Sequence, residues 1–336
     1  MPNHAATPRS TPDHHRRIAL ALLTLIVGAG GTVRADTTAP ATAEQALHPA
    51  RRGHGSISIG YQTTRVDGLR ATNDNVLDVG RGTARAVQLD LNYFVTDRWS
   101  LHAGIPYVSN VFHGSPHCPT TQPPQCRNVP ALTQPHPESR FQDDGHYHGT
   151  WQDWSVGAAW HATLWGNYLL TPSLTWHFPS HDYVFFSNAA AGQRIWKVEP
   201  SLELAHQFDF TNLYYRVRYS YLITEQVLDT RMNHHRLELE GGWFVNERFT
   251  LRGFAIGKKG QGYTLQELGP LTRGRTSEYW YHHDQIVVHD YAEYGVGADY
   301  HFGGRYTLSG ALHRLWWGRS INNFKHSLEL RLTRDF

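Results

Sequence analysis

The sequence predicts an all-β fold: a membrane-spanning antiparallel up-and-down β-barrel of about twelve strands. Three observations predict it. Apolar and polar residues alternate with a period of two along most of the chain, short and long connections alternate between the resulting segments, and aromatic residues gather at both ends of the apolar faces. A strand with one face in hydrocarbon and the other in a polar lumen requires that alternation.

The composition agrees. The chain has 336 residues, a formal net charge of +2 and no basic stripe, so no nucleic-acid partner is expected. It carries 11 Trp, 17 Tyr, 14 Phe and 30 Gly. Its mean hydropathy is negative. Helical spans need about 20 consecutive apolar residues each and would raise that mean. Barrel strands alternate and long polar loops dilute them.

The one long apolar run is residues 18–28, IALALLTLIVG, after Arg16 and Arg17 and before Val33-Arg34-Ala35. A basic start, a short apolar segment and a small-residue exit form a secretory signal peptide. The expected division is a signal peptide at 1–35, a periplasmic lead-in at 36–52 and the barrel at 53–336. Export with a barrel points to the outer membrane of a Gram-negative bacterium, with its lipid as a partner.

Strands are expected to begin near Ser56, Ala84, Trp99, Trp151, Tyr168, Arg194, Leu213, Asn233, Phe249, His289, Tyr306 and Phe324. Leu237, Leu239, Gly241 and Trp243, alternating with Arg236, Glu238 and Glu240, show the pattern well. The segment 249–257 is ambiguous, with Leu251 and Ala255 on one face and Phe254 and Ile256 on the other. Five connections are short, at 96–98, 166–167, 209–212, 246–248 and 303–305. Six are longer, at 67–81, 111–150, 179–193, 224–233, 259–287 and 318–323. Twelve antiparallel strands need five connections on one side and six on the other, and outer-membrane barrels put the short ones in the periplasm. Tyr93, Trp99, Trp243 and Tyr300 flank the short turns, while Tyr107, Trp154, Trp176 and Phe324 lie near the long loops. Two such belts match the interfacial preference of aromatic rings. The last strand ends at Phe336, a terminal aromatic that resembles the signal by which barrel proteins engage their assembly machinery.

With the apolar face toward lipid, the charged face lines the lumen. It carries Asp90, Asp153, Glu199, Glu203, Glu238, Glu240, Glu293, Asp299 and Glu329, with Lys197, Arg216, Arg218, Arg236, Arg252, Lys325 and Arg331. Acids on 198–204 face bases on 213–219. Two readings stay open. Opposed charged walls can orient a small-molecule solute, or ion pairs can fill a lumen intermediate between the side-chain-filled barrels of eight strands and the open ones of about 16. Cys118 and Cys126 stand eight positions apart in a Pro- and Gln-rich stretch. In an oxidising compartment they point to a disulfide, with two free thiols or half a metal site as alternatives. Loop 111–150, pinned by that bond, is the expected gate.

Two stretches carry a family resemblance. Residues 93–108 (YFVTDRWSLHAGIPYV) give a strand, a Thr-Asp-Arg turn, a returning strand and a Pro-Tyr exit. Residues 176–208 give a strand ending in Phe-Pro, a loop, and a strand opened by Trp196, Glu199 and Pro200. Both resemble outer-membrane transporters of the MetA-pathway of phenol degradation family. The family's frequent Pro-Thr-Gly-Asp is Pro179-Ser180-His181-Asp182 here. The resemblance implies passive passage of small molecules, aromatic or hydrophobic ones among them, and no cofactor.

Other chemistry is less well supported. The pairs His146 and His148, His234 and His235, and His282 and His283 with Asp284 sit near the expected outer rim. Such groups can ligate metals, but no spacing such as HExxH fixes them, and no metal site is expected. A lipid-modifying enzyme is the main rival class. His326 lies on the lipid face, but Ser327 points the other way and no GxSxG elbow occurs, so no catalytic residue is expected. A structural or adhesive barrel with long surface loops is the third reading.

Overall fold

The computed structural model describes residues 51–114, 142–164, 168–271 and 278–336. Twelve antiparallel strands form one closed barrel. They are β1 (Gly55–Arg70), β2 (Val76–Phe94), β3 (Trp99–Gly114) and β4, built from His148–Trp151, Trp154–Trp160 and Ala162–Thr163. There follow β5 (Tyr168–Phe178), β6 (Lys197–Gln207), β7 (Leu213–Thr224) and β8 (His234–Asn246). The last four are β9 (Phe249–Gly260), β10 (Asp290–Phe302), β11 (Tyr306–Arg319) and β12 (Ile321–Asp335). Each strand pairs with its sequence neighbours, and β1 pairs with β12 from Ser56↔Asp335 to Arg70↔Ile321. The seam is completed by Gly55, whose N–H donates to the Phe336 carbonyl at 3.0 Å and whose carbonyl accepts from the Phe336 N–H at 2.9 Å. Closure gives each described strand a ladder partner on both sides.

The orientation of the strands is unambiguous. Leu89, Leu202, Leu239 and Leu330 face outward and are 39–47% exposed, whereas Arg216, Arg236, Glu238 and Glu240 face inward and are 5–6% exposed. An outer wall of contiguous apolar side chains around a charged interior is the arrangement of a barrel in lipid. Among the described residues, no helix is long and apolar enough to cross a membrane.

The strand ladder breaks where the sequence removes a donor or adds a residue. Pairing of β5 with β4 stops at Ala159↔Ser173 and resumes at Ala162↔Leu170, bracketing Pro172. Pairing of β6 with β7 skips Glu199 and Pro200. Proline has no N–H to offer a ladder. Gln152 and Asp153 interrupt β4 as a bulge, so Trp151 and Trp154 both stay on the outer face while Gln152 is buried. A bulge re-aims side chains in this way. The ambiguity in β9 resolves by packing: Phe254 turns inward over Gly295, where an added Cβ would lie 2.4 Å from its ring, while Leu251 faces out.

Two expected long connections are mostly strand. The 67–81 loop reduces to a turn at 71–75, and the 318–323 loop to a turn at Ser320, because β1, β2, β11 and β12 continue. At 14–19 residues, these strands exceed the 9–11 or so needed to span hydrocarbon and make a high wall on one side of the barrel. The expected 259–287 loop holds three short helices: α1 (Leu265–Leu271), α2 (Glu278–Tyr281) and α3 (His283–Ile286).

Candidate functional site

Most of the charged residues assigned to the lumen are paired with one another. Arg216 reaches Glu240 at 3.3 Å and Glu203 at 3.5 Å, and Arg252 reaches Glu240 at 3.3 Å and Asp299 at 3.5 Å. Arg218 pairs with Glu199 at 3.2 Å, Arg236 with Glu238 at 3.1 Å, and Lys197 with Asp153 at 3.3 Å. Arg331 bridges Asp90 at 2.8 Å and Glu329 at 3.5 Å, and His313 meets Glu293 at 3.1 Å. The acids of β6 and β8 flank the bases of β7 because Glu203 and Glu238 are both register partners of Arg218. Along β6–β10 this network is so close-packed that most of its members are buried.

Lys325 is the exception and corrects the expectation. A register irregularity sets Arg65 opposite His326 but Val66 opposite Phe324. Lys325 is therefore extruded from the inward series, lies more than half exposed and pairs with Asp67 near the loop end. The same irregularity turns Phe324 inward, with its ring 6.2 Å from that of His313, so it leaves the aromatic belt. His326 is exposed, while Ser327 is fully buried and bonded to Thr64 at 2.6 Å.

Against the wall formed by β12 and β1–β7, the lumen holds a cavity of about 230 Å³. Eight hydroxyl side chains line it, Ser56, Ser58, Ser100, Ser155, Thr171, Ser173, Thr175 and Ser201, together with apolar groups such as Leu91, Phe94 and Leu169. Three imidazoles join them and bond within the wall: His161 to Ser100 at 2.9 Å, His102 to Thr175 at 2.9 Å, and His177 to Glu199 at 3.1 Å. Asp90, Glu199, Glu203, Arg218 and Arg331 also touch the space. Phe94 and Ser100, at the ends of strands beside a short turn, extend it toward the turn end.

A lid covers the loop end. Residues 179–196, between β5 and β6, enter the barrel mouth. Ala191 packs on the inward Ala86 and Val108, the Asn110 amide donates to the Ala190 carbonyl at 2.8 Å, and the Gln152 amide donates to the Ala191 carbonyl at 2.7 Å. Tyr183 donates to Asp153 on the bulge of β4. Gly192 lets the two side chains approach closely, since a Cβ there would lie 2.7 Å from both Gln152 Nε2 and the Tyr183 hydroxyl. The β9–β10 connection meets this loop. The Gln193 amide donates to the Asp284 carbonyl at 2.7 Å, and the Gln285 amide donates to the Gln193 carbonyl at 2.6 Å. On its other flank, Leu268, Ile286 and Val287 pack with Leu69 of the high wall. Tyr263 and Tyr279 donate to Asp229 of the β7–β8 connection at 2.9 and 3.0 Å.

Where the two loops join, Asp143 accepts from the Ala189 N–H and the Ser187 hydroxyl, at 2.9 and 2.7 Å. Asp284 is buried beside His283, 3.3 Å away, and its Oδ2 accepts no hydrogen bond among the described residues. Burial, reinforced by the Asp143 carboxylate, holds the Asp284 carboxyl well above the usual carboxylate range. The histidine pairs are not brought together. His148 contacts Asp144, His234 bonds to the Met232 carbonyl and His235 to Tyr219. No group of three metal-ligating side chains occurs among the described residues. Cys118 and Cys126, and most of the expected gate at 111–150, lie outside the described residues.

No protein-family model matches the chain, and no curated protein matches it. Among solved structures, the chain is similar to the COG4313 outer membrane channel from Pseudomonas putida F1, with a TM-score of 0.62 at 16% identity, over 90% of this chain and 100% of that one. At that identity the likeness shows a shared fold. Two weaker likenesses are the NanC porin, with a TM-score of 0.44 at 14% identity over 83% of this chain and 98% of that one, and the Pseudomonas putida toluene transporter TodX, with 0.36 at 9% over 93% and 96%. TM-scores this low carry no argument.

Proposed function

We propose that the chain is exported with cleavage after Ala35, assembles in the outer membrane of a Gram-negative bacterium, and forms a channel for passive passage of small molecules. The observation that carries this reading is the asymmetric lumen. Ion pairs crowd the side along β6–β10, while the side along β12 and β1–β7 keeps a hydroxyl-bearing cavity under a lid of loops. A purely structural barrel of this width has no need of such a division. The terminal strand ending at Phe336 is the contact with the assembly machinery. The stretches at 93–108 and 176–208 support kinship with the MetA-pathway of phenol degradation family and its aromatic or hydrophobic solutes. The lining supports polar ones.

The test is conductance of the purified protein in planar lipid bilayers. Discrete openings are expected, and their absence together with no solute-driven swelling of proteoliposomes would overturn the reading. Arg218→Gln leaves the Glu199 carboxylate at the cavity without its guanidinium partner, so the reversal potential in a salt gradient should move toward cation selectivity. An unchanged reversal potential would count against ions following this wall.

A further inference from the structure

The lining of the cavity narrows the solute, given the channel reading above. Its charges are compensated inside the wall. The guanidinium of Arg331 is held by Asp90 at 2.8 Å and that of Arg218 by Glu199 at 3.2 Å. Glu203 is held from behind by Arg216 at 3.5 Å. A charged solute would therefore meet no uncompensated opposite charge, and would lose hydration for little return. A hydrophobic solute fares no better. It would displace water from the hydroxyls and leave unmatched the donor and acceptor positions that the wall itself does not use.

Among the polar groups facing the cavity, what remains is short-range, directionally adaptable hydrogen bonding. A serine or threonine hydroxyl has one donor and two acceptor positions. Ser173 and Ser201 share one bond at 2.6 Å across β5 and β6, and Ser100 shares one with His161, so each keeps capacity for a second partner. Rows of such groups on adjacent strands suit a ligand that itself presents hydroxyls on several sides. The volume of about 230 Å³ falls below the range of drug-sized pockets, about 300–1,000 Å³, and sets the ligand near a single sugar ring. We propose that the cavity is a binding site for a neutral polyhydroxylated solute, a polyol or monosaccharide.

The experiment is saturation-transfer NMR on the full-length protein in detergent with four probes: glucose, sorbitol, gluconate and catechol. Glucose or sorbitol should bind saturably and at least about tenfold more tightly than gluconate or catechol, the ratio expected from one well-made hydrogen bond of about 1.4 kcal/mol. Gly104→Leu should abolish binding. A Cβ at Gly104 already lies 2.7 Å from Ser155 Oγ and 2.9 Å from Gln88 Nε2, so the side chain must enter the cavity. Should that variant fail to fold, the pair Ser173→Ala and Ser201→Ala removes two hydroxyls with little change of volume and should weaken binding by a similar factor. Equal or tighter binding of catechol or gluconate, or undiminished binding in a folded variant, would overturn the proposal. Conductance separates it from the channel reading. Openings without polyol binding sink the solute assignment alone, and polyol binding without openings sinks passage alone.

Discussion

Arg216 shows how a charge is kept inside a barrel wall. It is buried, and two carboxylates on the flanking strands, Glu203 and Glu240, hold it. Removing it leaves Glu203 without a paired cation among the described residues and Glu240 with Arg252 alone, and breaking a buried pair costs about 3–5 kcal/mol. Arg216→Ala should therefore lower the temperature at which the folded band converts to the unfolded one in semi-native electrophoresis. Lys325→Ala is the control, because an exposed pair such as Lys325–Asp67 contributes about 0–1 kcal/mol. Equal losses from the two would show that the inner network is not what stabilises the wall. The contrast also marks what a sequence reveals at this scale. Parity along the strand assigned Arg216 and Glu240 to the inner face, since one residue of slip flips every side chain. Parity failed at Lys325 and Phe324, because the bulge between them and Ser327 depends on the facing strand β1, where the register shifts at Arg65 and Val66.

The lid is the element whose role depends most on bonds between distant segments. Gln193 and Gln285 tie the β5–β6 loop to the β9–β10 loop through two side-chain-to-backbone bonds. Each buried bond contributes about 1 kcal/mol net, so Gln193→Ala with Gln285→Ala should raise the opening equilibrium by roughly tenfold or more. Single-channel open probability measures this, and no change would mean that the loops are not the barrier. Asp284 adds a pH dependence to the same joint. Its carboxyl is raised in the closed lid above the ordinary value of 3.8, so the closed form holds the proton more tightly than a solvated, open form. That stabilisation is complete below the ordinary value and is lost as pH rises through the raised one. Open probability should therefore increase with pH, and Asp284→Asn should flatten the response. A wild-type profile that falls with rising pH would refute the assignment. The sequence carries signals of structure in these connections that an expectation of plain long loops misses. Thr264-Leu265-Gln266-Glu267 is a capping-box pattern, and it does cap α1: Glu267 accepts from the Thr264 N–H at 2.8 Å, and Thr264 accepts from the Glu267 N–H at 3.3 Å. The small apolar run Ala189-Ala190-Ala191-Gly192, flanked by Phe185 and Ile195, is the missed signal for a 179–193 connection that turns inward and is buried. Which loop it would meet across the mouth was not readable, because Gln193 and Asp284 are joined only by closure of the ring.

For the whole molecule, the strand count was legible because closure constrains it: alternating short and long connections admit an even number of strands whose ends meet. The meeting point is the seam of β1 and β12, and Phe336 serves it in two separable ways. Its backbone completes the ladder with Gly55, and its ring lies over that glycine, where an added Cβ would come within 2.8 Å of the ring. Deleting Phe336 removes both backbone bonds, whereas Phe336→Ala keeps them and removes only the ring. If the ring matters chiefly to closure, both changes should impair refolding of the urea-denatured chain into detergent or lipid, a system that contains no assembly machinery. If the ring is read by the assembly machinery, as proposed above, Phe336→Ala should refold in vitro nearly as the parent does, yet reach the outer membrane of living cells in much smaller amount. Heat-modifiable band shifts quantify folded protein in both settings. The expected result is the second, because one half-exposed ring at a strand end contributes no more than about 1–3 kcal/mol, against a seam of more than a dozen register pairs running from Ser56 to Arg70. Normal cellular assembly of Phe336→Ala would remove the terminal ring from the list of signals and leave the backbone of β12 as the recognised feature.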